Sequence, residues 1–141
     1  MDTNPFIVET DPTVEDVRFL DDRLYEYGVE QTGVDDGQWL AIFLRDNHQT
    51  IYAGLKGWTW CGSCYIQTVW IHQAWRGQGL GTQLLLAAEQ EARRRGCDHM
   101  VLGSYSFQAP GFYQKLGYEV FAVLENHPRH HRHYGLHKWL R

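Results

Sequence analysis

Apolar positions recur along the chain with two different periods. Residues 6–8, Phe-Ile-Val, form a short apolar run that reads as a first strand. Asp11-Pro12-Thr13 then supplies an acidic or hydroxyl cap with proline in the first turn, a helix start. Val14, Val17, Leu20 and Leu24 follow at helical spacing, with Asp16, Asp21, Asp22 and Glu26 on the wetter side and Gly28 as the predicted stop. Residues 30–37 are polar and read as a loop. Residues 39–44 are almost continuously apolar, which predicts a strand buried on both faces. After a turn at Asp46-Asn47-His48, residues 50–60 and 65–72 predict two further strands, with Gly54 and Gly57 interrupting the first. The short connections between the three predict an antiparallel meander.

The period changes after His72. A glycine-rich stretch, residues 73–81, leads into the clearest helix of the chain, residues 82–95. Leu80, Leu84, Leu85, Ala88 and Ala92 make its apolar stripe, Arg93, Arg94 and Arg95 favour the negative end of its dipole, and Gly96 ends it. A strand begins at Met100. Residues 109–116 predict a short helix with Pro110 in its first turn and Gly117 past its end, and residues 118–124 and 133–140 predict two final strands.

Composition narrows the class. At 141 residues, 43% hydrophobic and 14% aromatic, the chain can build one core. With no linker or repeat, residues 1–141 read as a single domain. No apolar run approaches the roughly 20 residues of a membrane span. Met1-Asp2-Thr3-Asn4-Pro5 shows no basic segment followed by an apolar stretch, so neither a secretory leader nor a membrane partner is expected. A formal charge of −4 argues against a dedicated nucleic-acid binder.

The three cysteines read as reduced thiols of a cytoplasmic protein. Cys61-Gly62-Ser63-Cys64 lies between two strand-like runs without the second pair that a structural zinc site requires, so a hairpin turn is expected rather than a metal or redox site. His127, His130, His131, His133 and His137 cluster near the C-terminus, but no cysteine or aspartate accompanies them, and no resident metal is expected.

The most informative stretch is Arg76-Gly77-Gln78-Gly79-Leu80-Gly81, with Thr82 following in the first helical turn. A helix N-terminus carries unpaired N–H groups and partial positive charge, and glycines let a phosphate approach them. The spacing fits neither the Walker A loop nor the dinucleotide GxGxxG pattern. Arg76-x-x-Gly79-x-Gly81 resembles the acetyl-CoA signature of the GNAT superfamily of N-acetyltransferases. About 30 residues downstream, residues 109–118, with Tyr113, Lys115, Gly117 and Tyr118, resemble a second segment of that family.

The resemblance implies an α/β GNAT fold: a central mixed, mostly antiparallel sheet of about six or seven strands, splayed between two parallel strands and flanked by about four helices. The parallel pair would be residues 65–72 and 100–104. The resemblance also implies acetyl-CoA as co-substrate. Its pantetheine arm would pair near Trp70 and Ile71, its pyrophosphate would rest on Arg76, Gly77, Gln78, Gly79, Leu80, Gly81 and Thr82, and Ser106, Phe107, Ala109, Phe112 and Tyr113 would line the other wall. Ser106 departs from the Asn that many relatives carry there. Tyr113, which burial alone would assign to the core, becomes the general acid for the departing thiolate.

No carboxylate lies on residues 64–71, where some relatives carry a base. Glu26 and Glu30 could line the acceptor mouth, and an ordered water relay is an equal alternative. The histidine-bearing C-terminal segment would border the acceptor pocket, and the family allows a homodimer. The implied reaction is direct acetyl transfer to a primary amine, of a small molecule given the compact chain. The alternative is a non-catalytic acyl-CoA-binding module.

Overall fold

The computed structural model describes residues 4–141; Met1, Asp2 and Thr3, part of the leader reading above, lie outside the described residues. The chain divides into two compact units, one ending at Asp35 and one running from Asp36 to Arg141.

The first unit is built on helix α1 (Val14–Thr32). Thr13 is the cap, its Oγ1 accepting the Asp16 N–H at 3.1 Å, so Pro12 precedes the cap instead of entering the first turn as the sequence reading had it. Gly28 does not stop it. One interior glycine costs a helix only about 1 kcal/mol, and the turn beyond it is held by the Thr32 hydroxyl donating to the Gly28 carbonyl at 2.9 Å. The stop is Gly33, in the left-handed region at φ 73°. Residues 6–8 form no strand, a correction to the sequence reading: strand periodicity supplies a side-chain pattern, but no ladder forms on this backbone.

The second unit is a six-stranded sheet in the order β1-β2-β3-β4-β6-β5, with strands β1 (Gln38–Arg45), β2 (Ile51–Trp60), β3 (Ser63–Ile71), β4 (His99–Tyr105), β5 (Glu119–Glu125) and β6 (Arg132–Trp139). Only β3 and β4 are parallel. Helix α2 (Leu80–Arg94) connects them and lies on one face, burying Leu84, Leu85, Ala88 and Ala92 against Leu55, Ile66, Met100 and Leu102. A short helix α3 (Pro110–Lys115) precedes β5. Among the described residues, three α-helices and one 3-10 turn stand where about four helices were expected.

The expectation that residues 39–44 are buried on both faces is corrected. As the outermost strand, β1 turns Leu40, Ile42 and Leu44 toward the core and leaves Trp39 and Phe43 exposed. The Cys61–Gly62 connection is a two-residue hairpin closed by the Trp60–Ser63 pair. Both central residues have positive φ, 50° and 84°, the primed turn that suits the strand twist.

A buried polar group fastens α2 to the rest. Glu89 is 1% exposed and receives the Tyr118 hydroxyl at 3.1 Å and the Lys138 ammonium at 2.8 Å. Lys138 also donates to the Leu116 carbonyl at 2.8 Å. No helix among the described residues is long and apolar enough to cross a membrane.

Candidate active site

The site begins where two strands part. The parallel ladder pairs Ser63 with His99, Cys64 with Met100, Tyr65 with Val101 and Ile66 with Leu102, and ends there. Both strands continue, β3 to Ile71 and β4 to Tyr105, without pairing to each other.

A bulge sits at the same level. Across β2 and β3 the register steps from Lys56 opposite Thr68 to Gly57 opposite Ile66, so Gln67 is the extra residue. Lys56 Nζ donates to Gln67 Oε1 at 2.8 Å. Gly57 permits the irregularity, because a Cβ there would lie 1.9 Å from the Tyr65 carbonyl oxygen. Beyond Ile66, β3 is paired only on its β2 side, so alternate backbone groups of residues 67–71 face the opening.

The glycine loop lies at the end of β3. His72 Nδ1 accepts the Ala74 N–H at 3.0 Å, starting the 3-10 turn Gln73–Trp75. Trp75 stacks on Tyr52 at 4.4 Å. The Arg76 guanidinium turns back and donates to the Ile71 carbonyl at 3.0 Å, tying the loop to the strand. Gly79 is the N-cap of α2 at φ 80°, with no side-chain cap and no acidic residue in the first turn. A Cβ at Gly77 or Gly79 would meet nothing within 4 Å. The first-turn amides of α2 are therefore uncapped at the positive end of the helix dipole, which suits an anion.

Gly81 has a different reason. Its absent side chain makes room for Phe112, whose Cζ would lie 3.0 Å from a Cβ, and for Ile71 Cδ1 at 3.4 Å. Loop, β3 and α3 meet there. Phe112 and Tyr113 pack edge to face at 5.1 Å, and Tyr113 lies 6.1 Å from the buried Tyr118. Burial pushes the Tyr113 phenol above its ordinary value, which keeps its proton in place across the neutral range. Among the described residues its hydroxyl has no hydrogen-bond partner.

Ile71, Arg76, Gly81, Phe112 and Tyr113 are thus brought together near the end of β3, and Gly77, Gln78, Gly79, Leu80 and Thr82 lie on the same loop and first turn. Trp70 lies on the exposed face of β3, 6.0 Å from the His72 ring. Ser106, Phe107 and Ala109 follow the end of β4. Ser106 exchanges two bonds with Arg132, its N–H reaching the carbonyl at 2.8 Å and its Oγ accepting the amide at 3.0 Å, so only its hydroxyl proton remains to offer. Glu26 and Glu30 are on α1, in the other unit, and Glu26 pairs with Arg23 at 2.7 Å.

The thiols play another part. Burial, with neighbouring Cys97, pushes the Cys64 thiol up to about 12, and burial also raises Cys97. Both are held as neutral core groups. Sequence reasoning missed Gln67, Glu89 with Lys138, and the placing of individual histidines. Gly57 and Gly103 were the only available signals: Gly57 acts through the next strand of its own hairpin, and Gly103 through His133, 30 residues further on.

The profile of the acetyltransferase (GNAT) family matches residues 8–118. The acetyltransferase Atu2258 of Agrobacterium fabrum is 31% identical over 84% of this chain and 87% of its own length. The blasticidin-S acetyltransferase of Streptomyces morookaense is 38% identical over 62% and 65%. An acetyltransferase from Bacillus cereus superposes with a TM-score of 0.78 at 26% identity, covering 95% of this chain and 98% of that one. An aminoglycoside 6'-N-acetyltransferase complexed with coenzyme A shares the fold at a TM-score of 0.63 and 18% identity, over 79% and 77%. Parted parallel strands, an uncapped glycine loop and a tyrosine-bearing short helix are thus joined by sequence likeness over most of the chain, which belongs to the GNAT family of acetyltransferases.

Proposed function

We propose that the chain is a single-domain cytoplasmic enzyme that moves acetyl from acetyl-CoA to a primary amine of a small molecule, by direct attack in a ternary complex. The observation that carries this reading is the opening itself: unpaired β3 backbone leads into a helix start with uncapped first-turn amides, and α3, which bears Tyr113, packs against that start through Phe112. The empty surroundings of Gly77 and Gly79 fit a phosphate group. The co-substrate would be held by the amides of residues 77–82, by the β3 backbone near Trp70 and Ile71, and by the wall of Ser106, Phe107, Ala109 and Phe112. It would supply an acetyl thioester. An amide of β3 would steady charge developing on the thioester oxygen, an effect worth about 2.7–4 kcal/mol.

Tyr113 would give its proton to the departing sulfur. The raised Cys64 and Cys97 thiols support direct attack over an acetyl-cysteine route. The printed name of the Streptomyces relative supports a small-molecule acceptor. Glu26 and Glu30 remain acceptor-side candidates on the family resemblance and on the acidic character of α1.

Acetyl-CoA at about 100 times its dissociation constant should stabilise the fold by about 2.7 kcal/mol. Gly79→Val should lose that shift, because φ 80° with a branched side chain distorts the phosphate cradle. A panel of amines assayed for coenzyme A release should identify an acceptor. Its kcat/KM should fall with salt, and fall less in Glu26→Gln and Glu30→Gln. Binding without release on any amine would leave the non-catalytic module. Absence of a thermal shift would remove the co-substrate.

A further inference from the structure

We propose that His133 is the general base that takes the proton from the incoming ammonium, a role that rests on the acetyl-transfer reading above. Gly103 is the first residue of β4 beyond the last pair with β3, so it marks the fork. It has no side chain, and an imidazole fills the space: a Cβ on Gly103 would lie 2.7 Å from His133 Nε2 and 2.9 Å from its Cε1. His133 comes from β6, opposite Tyr105 in the antiparallel register. It reaches diagonally over Gly103 and brings a titratable ring to the point where the strands separate.

The face is equally specific. Met100, Leu102 and Ser104 of β4 are buried on the side that α2 covers. Gly103 and Tyr105 alternate to the opposite side, and His133 lies with them. Tyr113 packs with Tyr118, whose hydroxyl bonds Glu89 of α2, so it belongs to the α2 side. The opening therefore has a phenol on one face and an imidazole on the other. Acid for the leaving group and base for the nucleophile stand on opposite faces, so an amine entering beside His133 attacks away from the thiolate that Tyr113 serves.

The surroundings of the imidazole are aromatic. On β4 it faces Tyr105 at 4.8 Å, and from the β5–β6 connection it faces His127 at 5.8 Å. His131 lies beyond, against Phe107 at 5.0 Å. The charges nearest in sequence are Arg129, Arg132 and Lys138; Arg132 is paired with Glu125 at 2.9 Å and Lys138 with Glu89 on the α2 face. No carboxylate contacts the ring among these groups, and imidazole is the side chain suited to accept a proton near neutrality. The other histidine pair of the sheet, His99 with His137 at 3.0 Å, lies at the paired end, away from the fork.

The step balances. The ammonium gives one proton to His133 Nε2, and the freed nitrogen lone pair attacks the thioester carbonyl carbon. The carbon–nitrogen bond forms and the carbon–sulfur bond breaks, its electron pair leaving on sulfur, which takes the Tyr113 proton. The second nitrogen proton lost on forming the amide restores the tyrosine through solvent, and His133 releases its proton to solvent.

The test uses the full chain, acetyl-CoA and two nucleophiles: the alkylamine that wild type accepts best, and a carboxylic hydrazide, which is neutral at pH 7. His133→Gln should lower kcat/KM for the alkylamine by about 10²–10⁴-fold and remove the acidic limb of its pH profile. The hydrazide, which needs no such deprotonation, should lose less than about tenfold, because the general-base term no longer applies. The acetyl-CoA thermal shift should persist. Gly103→Ala, which displaces the imidazole without removing it, should show the same pattern and guards against a folding defect in the first variant. His137→Gln should leave the profile unchanged. An acidic limb that survives in both fork variants overturns the base assignment while leaving acetyl transfer intact. A wild type that releases coenzyme A equally fast with no nitrogen nucleophile overturns the reading of transfer to an amine and this one with it.

Discussion

The two halves of the β3–β4 pair are made of the same kind of strand and do opposite things. In the closed half, residues 63–66 and 99–102 pair in register, and Cys64, Ile66, Met100 and Leu102 are at most 3% exposed. In the open half, residues 67–71 and 103–105 pair only outward, with a bulge at Gln67 and a bare glycine at Gly103. Burial satisfies the first half through packing. The second keeps backbone groups without a strand partner and facing an opening, where water or a bound ligand must satisfy them. The division teaches where to look for each kind of defect: closed-half changes should cost folding, and open-half changes should cost turnover.

The sharpest test of the open half is Tyr113→Phe. Turnover should fall by about 10²–10⁴-fold, the span of a general acid, while melting temperature and the acetyl-CoA shift hold, since the ring still packs on Phe112. Unchanged turnover would make Tyr113 a wall residue and blur the division.

On the closed side, Lys138 stands opposite Met100 in the β4–β6 register. Lys138→Met should destabilise by about 3–5 kcal/mol, because it removes the cation hydrogen-bonded to the buried Glu89 carboxylate and leaves only the half-exposed Arg93, at 4.0 Å. Chemical denaturation measures the loss, and turnover per folded molecule should hold. Replacing Glu89 by Leu in the same chain should restore most of the stability. If the single change proved silent, the network would not be what anchors α2.

The smallest effect concerns His99, paired with Ser63 at the foot of the ladder. Burial first, and the neighbouring His137 second, lower its pKa below the ordinary histidine value. The unfolded chain then takes up the proton first as pH falls, so stability should decline below about pH 6.5. His99→Gln should flatten that decline, read from denaturant midpoints at pH 7.5 and 5.5. An identical slope in both proteins would remove His99 from the pH response.

What the sequence made legible follows the range of the interaction. Helix α2, its glycine start, the Thr13 cap and the Cys61–Gly62 turn are written within a few residues, and the structure agrees with each. The second motif likewise delivered Tyr113 beside the loop. Residues 6–8 and 39–44 failed because strand burial depends on the neighbours a strand acquires, which an apolar run does not specify. Gly28 failed because a glycine stops a helix only where the turn after it has no other support. The partners of Glu89 lie 29 and 49 residues away, and His133, which fills the space at Gly103, is 30 residues away on the adjacent strand. Such pairings become visible only with the register.

The hairpin at Cys61 has a practical consequence. Cys64 and Cys97 are buried, whereas Cys61 is exposed at a two-residue turn. A maleimide dye should therefore label the native chain at a single place without engineering. That place lies just before β3, and the glycine loop follows the other end of this nine-residue strand, about 30 Å off at strand rise. The separation suits energy transfer from a fluorophore at the turn to a chromophoric nucleotide, so occupancy of the loop could be followed optically in unmodified protein.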